Sequence, residues 1–193
     1  MTTVLAGVRL SPLAYLQHEE TATVRSEYLA GELFPMAGGT SNHNRIAVSL
    51  CSALDARLEL GRCEVFSGDL KLWVADYDLF TYPDAMVVCG PVHYFPERTD
   101  AIANPTVIVE VLSKSTRGLD QGEKFAWYRA LPSLQDYLLV DQYRVHIDCY
   151  HKLANGRWLL TEYTADDEII TLESINVEIP VRQLYQRVDW SLV

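Results

Sequence analysis

Asn104 to Tyr128 reads NPTVIVEVLSKSTRGLDQGEKFAWY and sets one carboxylate, Glu110, inside the most apolar short run of the chain. Side chains alternate along a strand, so Thr106, Ile108, Glu110 and Leu112 share one face while Val107, Val109 and Val111 share the other. A run apolar on both faces predicts a central strand covered on both sides. An ionised carboxylate in such a strand requires a cation, a metal or several donors.

A second acid stands in a similar setting. In Tyr82-Pro83-Asp84-Ala85-Met86-Val87-Val88 the proline, which lacks an N–H, suits the first position of a strand and puts Asp84 at its mouth. The connection from Cys89 to Pro105 holds Gly90, Pro91, Pro96 and Pro105 and reads as a loop between strands that lie side by side. Paired in this way, Asp84 and Glu110 converge on one hard cation.

A Pro-Asp dipeptide opening one strand and a glutamate buried in the next resemble the core of the PD-(D/E)xK nuclease superfamily. The longer pattern of Glu110, Leu112-Ser113, Ser115-Thr116, Asp120, Lys124 and Tyr128 is similar to one branch, the restriction-endonuclease family abundant in cyanobacteria and long carried as a domain of unknown function. Glu27-Tyr28-Leu29-Ala30-Gly31-Glu32-Leu33, with Met36 and His43, resembles the opening of that branch. The resemblance spans roughly Arg25 to Asp141.

It implies an α/β (α+β) restriction-endonuclease-like fold, a mixed β-sheet core flanked by helices, here with an added C-terminal hairpin. It also implies a metal-dependent endonuclease hydrolysing phosphodiester bonds of nucleic acid, DNA first, and a homodimer with two sites for two strands. Asp84, Glu110 and the carbonyl of Val111 are the expected ligands of Mg²⁺ or Mn²⁺. One departure stands out. The superfamily lysine belongs two positions after Glu110, where this chain has Leu112. Lys124 is the expected substitute, with Lys71 from a neighbouring strand as the second candidate and Lys114 as the third. Glu32, His43, Asp69 and Tyr128 are auxiliary candidates. Two other readings stay open: a nuclease fold that has lost catalysis and serves as an interaction module, and a hydrolase of small phosphate esters.

At 193 residues the chain suits one domain, and no apolar run reaches the length of a membrane span. The start, MTTVLAGVRLSPLAYL, has no basic stretch followed by an apolar block, so a cytoplasmic protein is expected. Cys51, Cys63, Cys89 and Cys149 are widely spaced and form no CxxC, which predicts free thiols. Beyond His43, the histidines (His18, His93, His146, His151) stand at no zinc-ligand spacing. A net charge of −10 runs against tight phosphate binding over a broad face, although Arg117, Lys114, Arg129, Lys124 and Lys71 can form a basic rim locally.

Around this core the pattern predicts a short helix after Ser11-Pro12, two short strands about Ala30-Gly31, and a core helix after Gly38-Gly39-Thr40-Ser41 with Ile46, Leu50, Leu54 and Leu58 on one face. The glycine pair carries no GK[ST] and so no phosphate loop. Arg62 to Trp73 reads as a strand or a bent pair of strands broken near Gly68, with Asp69 and Lys71 on one face turned toward Asp84. Asp120 and Glu123 have capping-box spacing and open a helix ended by Pro132. An exposed Lys124–Asp120 pair, worth tenths of a kcal/mol, is the alternative to a site lysine. A strand over Asp136–Val140, a hairpin turning at Asn155-Gly156 and a short helix after Pro180 complete the chain.

Overall fold

The computed structural model describes residues 9–114 and 117–193. Ser115 and Thr116 of the quoted pattern lie outside the described residues. Helix α1 (Pro12–Glu19) starts at an N-cap serine, Ser11, followed by proline in the first turn. Strands β1 (Ser26–Leu29) and β2 (Glu32–Pro35) then form a hairpin turning at Ala30-Gly31. Gly31 has a φ of +96° and packs against Arg9, a position only glycine fills without strain. Helix α2 (Ser41–Asp55) buries Ile46, Leu50 and Leu54 at every fourth residue, and Thr40 caps it by accepting from the His43 amide at 3.2 Å.

Arg62 to Trp73 is a pair of strands broken near Gly68, as one of its two readings had it, and the two belong to different sheets. β3 (Cys63–Ser67) pairs with β6 (Ala85–Cys89), while β4 (Lys71–Val74) pairs with β5 (Leu79–Thr81). The chain then passes through β7 (Ala101–Ile102) into β8 (Val107–Leu112). β8 lies antiparallel to β6, with Ala85 opposite Val109, and parallel to β9 (Asp136–Asp141). The expected pairing of the two acid-bearing strands is thus present. β10 (Ile147–Lys152) and β11 (Trp158–Tyr163) extend the sheet outward as the C-terminal hairpin.

The larger sheet therefore runs β11-β10-β9-β8-β6-β3, and the smaller runs β2-β1-β5-β4-β7. β12 (Ile169–Leu172) and β13 (Val177–Pro180) form a separate ribbon.

Every residue of β8 is buried, as its two apolar faces predict. Val107, Val109 and Val111 pack with Ile46, Leu50 and Leu54 of α2. Ile108 and Leu112 pack on the other face with Leu72, Val74 and Leu79 of the smaller sheet and with Trp127, Tyr128 and Leu131. Glu110 shares this second face. It therefore lies in the seam between the two sheets, where water is excluded.

The segment after β8 is helical but does not begin at a capping box. α3 (Arg117–Leu119), a π-helical turn (Asp120–Lys124) and α4 (Phe125–Tyr128) run on without a break. Asp120 is buried inside this run instead of capping its start, because the helix begins three residues earlier. α5 (Val181–Tyr185) follows Pro180.

The expectation of four free thiols is corrected. Cys63 and Cys89 stand directly opposite in the β3–β6 register with Cα atoms 4.0 Å apart and form a disulfide, while Cys51 and Cys149 are free. Linear spacing could not show this, since the pair is brought together by strand register. No helix among the described residues is long and apolar enough to cross a membrane.

Candidate active site

Lys124 reaches the seam from the π turn, and three carboxylates surround its ammonium. Nζ lies 3.0 Å from Glu27 Oε1, 3.1 Å from Glu110 Oε1 and 3.4 Å from Asp120 Oδ1. All four side chains are at least 88% removed from solvent. The Tyr128 hydroxyl donates to Glu110 Oε1 at 2.7 Å, and Thr81 donates to Glu27 Oε1. Tyr137 donates to the Asp120 carbonyl at 3.0 Å and so anchors the π turn to β9. A π turn widens the helix by one residue per turn and is a frequent mark of functional sites.

Asp84 occupies the mouth of β6, as its proline predicts. Its Oδ2 accepts from the Val111 amide at 2.7 Å and lies 3.3 Å from His43 Nε2. These contacts join the tips of β6 and β8 to the first turn of α2.

The placement of that turn is itself braced. Gln142, buried at the end of β9, donates to the Leu112 carbonyl at 2.8 Å and accepts from Thr40, the cap of α2. Leu112, Gln142, Thr40, His43, Asp84 and Val111 thus form a continuous chain of contacts that begins and ends on β8. Gly39 packs closely against this turn: a Cβ there would stand 3.0 Å from His43 Nδ1 and press on the imidazole.

The charges respond to this burial. Burial pushes the Glu110 carboxyl up against the pull of Lys124, and the negative charges of Asp120 and Asp84 add to the rise, from the ordinary 4.5 to about 8. Burial alone would depress the Lys124 ammonium, but Glu110 first, with Tyr128, Glu27 and Asp120, holds it well above an ordinary lysine. Burial also disfavours the His43 imidazolium, yet the hydrogen bond and charge of Asp84 and the Val111 backbone lift it above 6.5.

Of the residues singled out in the sequence, the structure brings Glu110, Lys124 and Tyr128 into one cluster and places Asp84, His43 and the Val111 backbone beside one another. The Val111 group bonded to Asp84 is its amide, not the carbonyl expected as a ligand. Leu112 is core, packed in the seam.

Lys71 does not reach the site. It belongs to the smaller sheet, where it pairs with Asp100 at 2.9 Å and lies over the Tyr82 ring. Asp69 forms a surface pair with Arg25 at 2.6 Å. Glu32 is exposed, and Glu27 on the partner strand takes the buried place instead. Lys114 lies over the Tyr143 ring.

The expected basic rim is not formed as one surface: Lys124 is buried, Arg117 pairs with Asp141 at 2.9 Å, and Arg129 stacks on Phe125. Sequence reasoning missed Glu27, Asp120 and Gln142. Alternation about the buried Tyr28 offers a signal for Glu27. The i,i+4 spacing to Lys124 offers one for Asp120, but no local pattern marks Gln142.

A mixed sheet with an aspartate at the mouth of one strand, a buried glutamate on the next and a lysine reaching that glutamate from the following helix is the arrangement of the PD-(D/E)xK-like nuclease superfamily. The chain belongs to the Uma2 family, described as "Putative restriction endonuclease", whose model matches residues 12–182. Two relatives come from Synechocystis sp. (strain ATCC 27184 / PCC 6803 / Kazusa), both described as uncharacterized proteins. Sll1609 is 38% identical over 87% of this chain and 95% of its own length. Slr1290 is 40% identical over 92% of each. Among solved structures, a nuclease of the DUF820 family from Anabaena variabilis ATCC 29413, called putative by its authors, superposes with a TM-score of 0.75 at 15% identity. The superposition covers 92% of this chain and 98% of that one, a likeness of fold.

Proposed function

We propose that this protein is a metal-dependent endonuclease that hydrolyses phosphodiester bonds of DNA. The observation that carries the reading is the buried Lys124–Glu110 pair beside Asp84. A lysine lost from its usual strand position is supplied by the helix, which speaks against a fold that has merely retired from catalysis.

The donors present fit a hard divalent cation. Asp84 and Glu110 offer carboxylate oxygens, and Glu27, Glu110 and Asp120 together set three carboxylates against the one ammonium they share. Asp84 and Glu110 would hold Mg²⁺ or Mn²⁺, which when bound supplies Lewis-acid stabilisation of charge on the phosphoryl oxygens.

The chain's own groups do the rest. Lys124, held in place by its carboxylates, presents a fixed positive charge where the phosphodiester gains negative charge during in-line attack. Tyr128 fixes the Glu110 oxygen that faces Lys124, and His43 with the Val111 amide fixes Asp84. We also propose a homodimer, in which two sites address the two strands of a duplex.

The test is to incubate the purified chain with duplex DNA, single-stranded RNA and a chromogenic phosphate monoester, each with Mg²⁺, Mn²⁺ or chelator. Cation-dependent cleavage of DNA that Glu110→Gln removes is the expected result. Turnover of the ester alone, or no cleavage of any nucleic acid, would overturn the reading.

A further inference from the structure

A second cluster of ligating side chains lies on the outer hairpin. β10 and β11 pair so that Asp148 stands directly opposite Glu162. Like charges in that relation destabilise a sheet unless something positive lies between them.

His146 is two residues before Asp148, on the same face, and fills that gap. Its Nε2 is 2.9 Å from Asp148 Oδ1 and 3.7 Å from Glu162 Oε1. Among the described residues no lysine or arginine pairs with either acid, although the Asp148 side chain is only 9% exposed. The histidine backbone is held as well, because Tyr185 donates to its carbonyl at 3.0 Å and accepts from its amide at 3.3 Å.

We propose that His146, Asp148 and Glu162 form a zinc-type transition-metal site, distinct from the Asp84–Glu110 site. One imidazole nitrogen and two carboxylate oxygens are all atoms that zinc accepts, and three protein ligands leave a fourth position for water. Bonds of about 2.0–2.1 Å in a tetrahedron put ligand atoms roughly 3.3–3.5 Å apart, a span the observed 2.9 and 3.7 Å bracket. All three ligand atoms already lie within 4.8 Å of one another.

The nitrogen donor favours zinc and its neighbours over Mg²⁺, which takes oxygen ligands. The two sites therefore select different metals. The ion would neutralise the cross-strand acid pair and pin the hairpin that extends the larger sheet. Linear spacing hides the site, since Glu162 joins the other two only through strand pairing.

The experiment is a Co²⁺ titration of the untagged, chelator-stripped chain in excess Mg²⁺, followed by visible absorbance, with Zn²⁺ as competitor. One equivalent of Co²⁺ with a four-coordinate spectrum, displaced by Zn²⁺, is expected. His146→Ala should abolish the band, and Glu162→Gln should weaken affinity at least tenfold. Glu162 is largely exposed, so that variant keeps its fold and answers the question if His146→Ala does not. Absence of bound Co²⁺, a spectrum unchanged in both variants, or a thiolate charge-transfer band from Cys149 would each overturn the proposal.

Discussion

Glu110 and Lys124 form a pair 3.1 Å apart in which both side chains are at least 94% buried, one from β8 and the other from the helical run that follows it. Exposed pairs of this spacing contribute little, whereas removing one member of a buried pair strands the other charge. Lys124→Ala should therefore destabilise the protein by about 3–5 kcal/mol, measured by urea unfolding above pH 8, where Glu110 is ionised. Cleavage should fall by a factor on the order of 10² at temperatures where the variant remains folded. A variant as stable as the parent would show that the pair does not hold the seam together.

The raised Glu110 carboxyl gives the metal-free protein a distinctive pH response. Its folded form binds a proton up to about pH 8, while the unfolded chain releases it near 4.5, so over that window the folded state carries more protons. Stability must then fall as pH rises from roughly 5 to 8. Glu110→Gln, which cannot ionise, should flatten this slope in urea unfolding at a series of pH values. A slope of the same size in that variant would place its origin elsewhere.

Calorimetry with Mg²⁺ and with Mn²⁺ tests the ligand assignment. Asp84→Asn and Glu110→Gln should each weaken binding at least tenfold, and binding to the parent should release protons below about pH 8, where the folded Glu110 carboxyl still carries the proton that the metal displaces. Unchanged affinity in both variants would remove these residues as ligands.

Gln142 makes two contacts, a buried one to Leu112 and a part-buried one to Thr40, and through them sets the entry of α2. Gln142→Ala should cost about 1–2 kcal/mol, since it leaves the buried Leu112 carbonyl without its partner. It should also detach His43 from Asp84. The measurement is the His43 imidazole titration by NMR, which should move down toward 6.5 in this variant and also in Asp84→Asn. A titration unchanged in Gln142→Ala would confine Gln142 to local stability.

The proposed dimer predicts a sedimenting mass near twice the 21.9 kDa chain at tens of micromolar protein. A mass of one chain under those conditions would count against two-site cleavage by a preformed pair.

The fold was legible where burial leaves a periodic trace. VIVEVL is apolar on both faces because β8 is covered on both, and the Pro-Asp start of β6 placed Asp84 correctly at a strand mouth. The helical lysine was legible as well, by resemblance and by reach. What did not show were relations set by strand register and by the docking of one sheet on another. Lys71 and Asp84 looked like neighbours because the segments on either side of Gly68 were read as presenting one face, whereas they belong to different sheets. Cys63 and Cys89 looked remote because 26 residues separate them, yet they are cross-strand partners. Asp120 looked like a cap because capping boxes and buried i,i+4 pairs share the same short spacing.

Glu27 belongs to the smaller sheet and Glu110 to the larger, while the cation between them comes from a helix that follows both. Neither sheet alone contains the cluster. A chain still emerging from the ribosome has exposed Glu27 well before Lys124 is made, and a truncated or misdocked chain has the acids without the geometry. The buried cluster is thus a late product of folding, and an incomplete chain holds its acids without the ammonium that joins them.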